Sequence, residues 1–190
     1  MFYRCGGIIK GMNTFSDPQK VIDQLECMPG QHIADFGAGS GAYTFALAER
    51  MKHMADTKIF AIDIQKDLLA RLESEATQRN YASVHVVWGD LETAKGSRLK
   101  DDSLDMVLVV NTLFQVDDQK SLMREAARVL KSGGTLVVVD WSESFGNIGP
   151  QTKDIVSEMT ARTLATEAGC MFEHALEAGE HHYGFVARKK

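Results

Sequence analysis

Short, fully apolar runs alternating with stretches of helical period leave this chain few folds to choose from. His32–Phe36, Lys58–Asp63, Val84–Trp88, Leu104–Val110 and Thr135–Val139 each carry apolar residues at neighbouring positions. Neighbouring side chains on a strand point to opposite faces, so such runs are expected to be buried on both. Between them, Ala42–Met51 repeats Phe45, Ala46, Ala48 and Met51 at helical spacing. Lys66–Asn80 turns Leu68, Leu69, Leu72 and Ala76 inward, and Lys120–Leu130 does the same with Leu122, Ala126, Val129 and Leu130. Thr152–Ala168 reads as a long helix ending at Gly169. Strand-helix alternation of this kind predicts an α/β fold, a doubly wound and mostly parallel sheet with helices on both faces. The end of the chain differs. Met171–Leu176 and His182–Ala187 flank Glu177-Ala178-Gly179-Glu180-His181, which predicts an antiparallel C-terminal hairpin.

Punctuation supports the same layout. Ser16-Asp17-Pro18-Gln19 is a helix start with a cap and an early proline, followed by Val21, Ile22 and Leu25 and stopped by Pro29-Gly30. Ser132-Gly133-Gly134 reads as a C-cap turn after the third long helix. The 190 residues suit one domain, with a core over 29–190 and residues 1–28 as an N-terminal lid and helix. Phe2 to Phe15 is the candidate lid. No apolar run approaches the roughly 18 residues that span a bilayer, and the N-terminus has no secretion signal. Cys5, Cys27 and Cys170 are scattered and odd in number, which fits a reducing, cytoplasmic setting. The net charge of -5, with one dense basic cluster at Arg188-Lys189-Lys190, argues against nucleic acid as a partner. The oligomeric state is not legible.

The candidate ligand site follows from the parallel sheet, because ligands sit beyond the carboxyl ends of such strands where the strand order reverses. The first strand-to-helix turn is Asp35-Phe36-Gly37-Ala38-Gly39-Ser40-Gly41. Three alternating glycines there let a ligand approach the backbone. Gly37-x-Gly39-x-x-Ala42 also satisfies the relaxed dinucleotide fingerprint, and Asp63 at the end of the second strand suits ribose hydroxyls of either ligand. Asp35 tilts the choice, since it favours a cationic amino-acid moiety and gains nothing from a pyrophosphate. The chain also leaves no room for the separate substrate domain of many dehydrogenases.

With these residues in place, the chain resembles the class I S-adenosylmethionine-dependent methyltransferases, in particular the small type 11-like members, over about residues 29 to 140. The resemblance implies a Rossmann-like fold and S-adenosyl-L-methionine as cofactor. It maps Ile33-Ala34-Asp35-Phe36-Gly37-Ala38-Gly39-Ser40-Gly41 onto the family's first motif. Asp63, with Ile64 after it, corresponds to the ribose-binding acid, and Gly89-Asp90-Leu91 to the segment that meets the adenine amino group. Leu104 to Asn111 resembles the fourth-strand motif, and Leu130-Lys131-Ser132-Gly133-Gly134-Thr135-Leu136 the turn into the fifth strand. The implied activity is methyl transfer to an acceptor, expected to be a small molecule. A non-catalytic scaffold of the same fold and a nucleotide-dependent oxidoreductase stand as alternatives.

Catalytic residues are not legible. Asn111-Thr112-Leu113-Phe114 departs from the Asn-Pro-Pro-Tyr pattern of amino-nitrogen methyltransferases, with Asn111 and Phe114 kept as candidates for cofactor or acceptor contact. Tyr43 is placed to hydrogen-bond near the methionine end of the cofactor. Asp140-Trp141 is expected to face the acceptor, and no metal is expected because the matching acid on the fourth strand is Asn111. His181-His182 reads as exposed hairpin polarity, since adjacent strand residues cannot readily chelate one ion.

Overall fold

The computed structural model describes residues 16–145 and 149–190. The candidate lid, Phe2 to Phe15, and Cys5 lie outside the described residues. The described chain runs α1 (Pro18–Asp23), β1 (His32–Phe36), α2 (Ala42–Met51), β2 (Lys58–Asp63), α3 (Lys66–Gln78), β3 (Val84–Trp88) and β4 (Leu104–Val110). A one-turn 3-10 segment (Leu113–Gln115) leads to α4 (Gln119–Val129), β5 (Leu130–Trp141), a second such turn (Thr152–Asp154), α5 (Glu158–Glu167), β6 (Cys170–Leu176) and β7 (His182–Lys189). The seven strands form one sheet in the order β3-β2-β1-β4-β5-β7-β6. β1 to β5 pair in parallel, whereas β7 is antiparallel to both β5 and β6. The strand order therefore reverses between β1 and β4, which is where such sheets open a crevice.

Helices cover both faces, as the apolar runs require. On one face Val21 and Ile22 of α1 and Leu47 and Met51 of α2 pack on Ile33, Met106, Leu108, Val137 and Val186. Leu72 and Ala76 of α3 meet Ala61 and Phe45 on the same side. On the other, Leu122, Ala126 and Val129 of α4 and Ala161 and Leu164 of α5 pack on Phe36, Val107, Val109, Val138 and Phe185. Among the described residues no helix is long and apolar enough to cross a membrane.

Two expectations fail locally. The long helix over Thr152–Ala168 is instead the short Thr152–Asp154 turn, an extended link, and α5. Ser157 caps α5 by accepting from the Thr160 N–H at 3.2 Å. Val156 in the link is buried in the α4–α5 layer, so core packing, not helix periodicity, sets the chain direction there. Likewise Ser132-Gly133-Gly134 is not a C-cap turn. α4 ends at Val129, Leu130 turns extended (φ -68, ψ 139) and pairs with Leu104, and the glycines lie in the irregular stretch of β5 between Leu130 and Thr135, where Gly133 has φ 75.

Candidate functional site

β1 leaves the sheet at Phe36 and the glycine loop bends over the edge. Gly37 (φ 75) and Gly39 (φ 53) both have positive φ, a conformation that side chains disfavour. A Cβ at Gly37 would lie 2.5 Å from Thr112 Oγ1, so this glycine also lets β4's continuation press against the loop. At Gly39 the nearest atom to an added Cβ is 3.9 Å away, which leaves the backbone open to a ligand. Thr112 ties the two strand ends together, its hydroxyl donating to the carbonyls of Phe36 (3.0 Å) and Val110 (2.9 Å).

Asp63 is the joint of the site. Its Oδ2 accepts the Gly39 N–H and its Oδ1 the Gln65 N–H, both at 2.8 Å, so one carboxylate holds the loop and the start of α3. Each oxygen keeps a second lone pair for a ligand. Asp90 follows β3 in a tight turn, with its Oδ1 accepting from the Glu92 N–H at 3.1 Å and its carbonyl from the Thr93 hydroxyl at 2.9 Å. That turn is braced from behind by buried Glu125 of α4, which accepts from the Lys95 and Ser97 N–H groups and pairs bidentately with Arg128.

These elements enclose a cavity of about 360 Å3, inside the range usual for small-ligand sites. Gly37, Gly39, Asp63, Ile64, Gly89, Asp90 and Leu91, all anticipated from the sequence, line it. Ala38, Ser40, Gly41, Tyr43, Asn111, Phe114 and Asp35 do not. Gln65, Leu68, Glu92, Thr112, Gln115 and Val116 line it without having been anticipated. Glu92 and Gln65 lie next to recognised residues and were within reach of the motifs. Thr112, Gln115 and Val116 enter because the chain coils into a 3-10 turn after β4, which the short apolar pattern there does not announce.

Asp35 lies fully buried under the loop, accepting from the Thr44 hydroxyl of α2 at 2.7 Å. Burial raises its carboxyl pKa to about 6, the Asp63 charge adds to this, and the Thr44 hydrogen bonds oppose it. The sign of the consequence is definite. The unfolded carboxyl loses its proton near pH 4 and the folded one near pH 6, so stability falls as pH rises across that window. Asp35→Asn, which imitates the protonated acid, should therefore exceed the parent in stability at pH 7.5 by about 2–3 kcal/mol and match it near pH 4. Urea denaturation at the two pH values measures this, and an equal offset at both would refute it.

Several residues do other work than expected. Tyr43 packs under α1 and its hydroxyl hydrogen-bonds Ser16; burial pushes its pKa up to about 12. Asp140 turns into the fold. It is fully buried, and its carboxylate accepts the N–H groups of Leu113 (2.9 Å) and Trp141 (2.8 Å), fixing the turn after β4. Burial raises its pKa to about 6 against those donors. His181 and His182 are not exposed polarity either: each is 8% exposed. His181 Nδ1 pairs with Glu143 at 2.7 Å under the ring of Phe145, and His182 lies against Trp141 with ring centroids 4.3 Å apart. Among the described residues no group of three or more His, Cys, Asp or Glu is placed to hold a metal ion.

Comparison with known proteins accords with this geometry. A methyltransferase domain family model matches residues 28–185. Demethylmenaquinone methyltransferase of Lactiplantibacillus plantarum is 26% identical over 125 residues, 66% of this chain and 51% of that protein. Phosphoethanolamine N-methyltransferase 3 of Arabidopsis thaliana is 22% identical over 152 residues, covering 75% of this chain and 29% of that protein. The chain thus spans about half or less of the length of these curated relatives. A SAM-dependent methyltransferase from Aquifex aeolicus shares the fold with a TM-score of 0.80 and 22% identity, over 93% of this chain and 91% of that one. The chain belongs to the methyltransferase domain family, whose cofactor is S-adenosylmethionine, and the dinucleotide reading of the glycine loop falls away.

Proposed function

We propose that this domain transfers a methyl group from S-adenosylmethionine to a small-molecule acceptor. The observation that carries the reading is the charge of the cavity wall. It includes the carboxylates of Asp63, Asp90 and Glu92 and neither Lys nor Arg. A pyrophosphate would meet repulsion there, whereas a cationic sulfonium and ammonium would be attracted. The residues fit the cofactor. Asp63 has lone pairs for the ribose diol, Asp90 for the adenine amino group, and Ile64, Leu68, Leu91 and Val116 give apolar walls for the ring. Gly39 gives open backbone, and Asp35 sets a buried negative charge beneath the loop.

The bound cofactor supplies an already activated methyl group, so the protein's part is to orient its partners and exclude water. Asp63 does the first by fixing Gly39 and α3 together. Thr112 and Asp140 do so for the turn after β4. A small acceptor is supported by the relatives, whose names specify demethylmenaquinone and phosphoethanolamine.

Calorimetric titration tests the reading. Both S-adenosylmethionine and S-adenosylhomocysteine should bind, the former more tightly as pH rises through about 6 and Asp35 ionises. NAD should not bind. Tight NAD binding with no response to either sulfur ligand would overturn the proposal. Binding without release of S-adenosylhomocysteine across an acceptor screen would favour the scaffold.

A further inference from the structure

The first turn of α4 gathers the two segments that line the cavity after β3 and after β4. Asp118 caps this helix, its Oδ1 accepting the Ser121 N–H at 3.0 Å and its Oδ2 the Ser121 hydroxyl at 2.7 Å. A capping box is completed by Glu or Gln at the third helical position, which reaches back to the N–H of the cap residue. Ser121 holds that position here, and its hydroxyl is spent on the Asp118 carboxylate. Glu92 supplies the missing acceptor from 26 residues away, its Oε2 taking the Asp118 N–H at 2.7 Å. Gln119, the first residue of α4, ties the other segment to the same turn. Its Nε2 donates to the carbonyls of Val116 at 3.0 Å and Leu113 at 3.3 Å.

Glu92 is half-buried and lines the cavity beside Asp90 and Leu91, while Gln115 and Val116 line it from the segment after β4. The Glu92 N–H donates to Asp90 Oδ1 at 3.1 Å. The carboxylate proposed for the adenine amino group is therefore oriented by the backbone that the Glu92–Asp118 bond anchors. Among the described residues no other hydrogen bond joins 89–93 to 111–119. A carboxylate acceptor makes such a bond about twice as strong as a neutral one, and the positive end of α4 favours it further. A group that served α4 alone could come from any neighbouring loop. This one comes from the cavity wall, so the capping side chain and the lining side chain are the same.

We propose that Glu92 is a positioning residue for the cofactor. By capping α4 from the Asp90 turn, it sets the spacing between that turn and the Gln115–Val116 wall, and with it the fit of the nucleoside end. The inference rests on the methyltransferase reading above and adds a residue to it.

The test titrates the full chain, as parent, Glu92→Ala and Glu92→Gln, with S-adenosylmethionine and S-adenosylhomocysteine, and records thermal melting alongside. The amide oxygen of glutamine can still accept the Asp118 N–H, whereas alanine cannot. We expect Glu92→Ala to weaken both ligands equally, by about tenfold, and Glu92→Gln to stay within about threefold of the parent. Both variants should melt within about 4 °C of the parent, since the bond lost is open to solvent. Equal losses in the two variants would mean that Glu92 acts by charge or direct contact. A larger loss for S-adenosylmethionine than for S-adenosylhomocysteine would trace the effect to the sulfonium. Either result overturns the positioning role, as does unchanged affinity in Glu92→Ala or an alanine variant that does not fold. The cofactor reading survives all of these. A parent chain that binds neither ligand would overturn both.

Discussion

Glu125→Ala is expected to destabilise the fold by about 3–5 kcal/mol, the usual cost of removing one partner from a buried ion pair. Glu125 is 4% exposed and sits at the centre of a dense polar network. Its Oε1 accepts the Ser97 N–H at 3.0 Å, the Ser97 hydroxyl at 2.5 Å and an Arg128 N–H at 2.6 Å. Its Oε2 accepts from Arg128 Nε at 2.8 Å and the Lys95 N–H at 3.2 Å. Burial alone would raise the Glu125 pKa, but Arg128 and Ser97 outweigh it and hold the carboxyl below its ordinary value. Truncation strands the Ser97 and Lys95 N–H groups and leaves Arg128, whose side chain is 19% exposed, with a weaker set of partners.

The damage should reach the cavity. Lys95 and Ser97 flank Gly96, whose position leaves no room for a side chain, an added Cβ falling 1.6 Å from the Asp90 carbonyl oxygen. Loosening this segment loosens the Asp90 turn, so affinity for S-adenosylhomocysteine should drop along with the urea midpoint. Glu125→Gln keeps the shape and one acceptor and should lose roughly half as much. A loss below about 1 kcal/mol for Glu125→Ala would mean that Arg128 and Ser97 repartner freely and the network has no bracing role.

Asp63→Ala should weaken S-adenosylmethionine binding by about 1–3 kcal/mol, roughly five- to 150-fold. The substitution acts twice. It removes the acceptor proposed for the ribose diol, and it frees the Gly39 and Gln65 N–H groups that Asp63 now holds at 2.8 Å. Gly39 would then sample orientations that do not present its open backbone to the ligand. Asp63→Asn separates the two effects, because its amide oxygen retains one of the backbone donors while its NH2 opposes the other. Its stability should fall between the parent and the alanine variant. Calorimetry together with thermal melting reads both quantities, and unchanged affinity in Asp63→Ala would remove this residue from the site.

Much of the architecture is written in local pattern. The expected ends of β1 to β4 coincide with the observed ones, because a strand buried on both faces is a run of apolar residues with little else to become. The glycine loop, Asp63 and Gly89-Asp90-Leu91 were legible for a related reason. A parallel sheet directs every strand's carboxyl end to one edge, so residues just past those ends must meet. Asp140, Glu125 and the histidine pair were not legible, since their surroundings come from elsewhere in the chain. Asp140 is committed to Leu113, 27 residues away, and Ser97 reaches Glu125 across 28. His182 is buried by Trp141, its neighbour only through the β5–β7 register.

The sequence by itself thus determined the layer order, the family and the sheet edge at which the candidate cavity lies, because hydrophobic period and motif spacing are properties of neighbours along the chain. Only the tertiary structure decided which polar groups are consumed by the fold and which are left over. Thr44, Leu113 and Ser97 each complete a buried carboxylate with a hydrogen bond that spacing alone cannot reveal. His182 and Asn111 Oδ1, left without such partners among the described residues, stand out only once the hydrogen bonds of the rest of the fold are known.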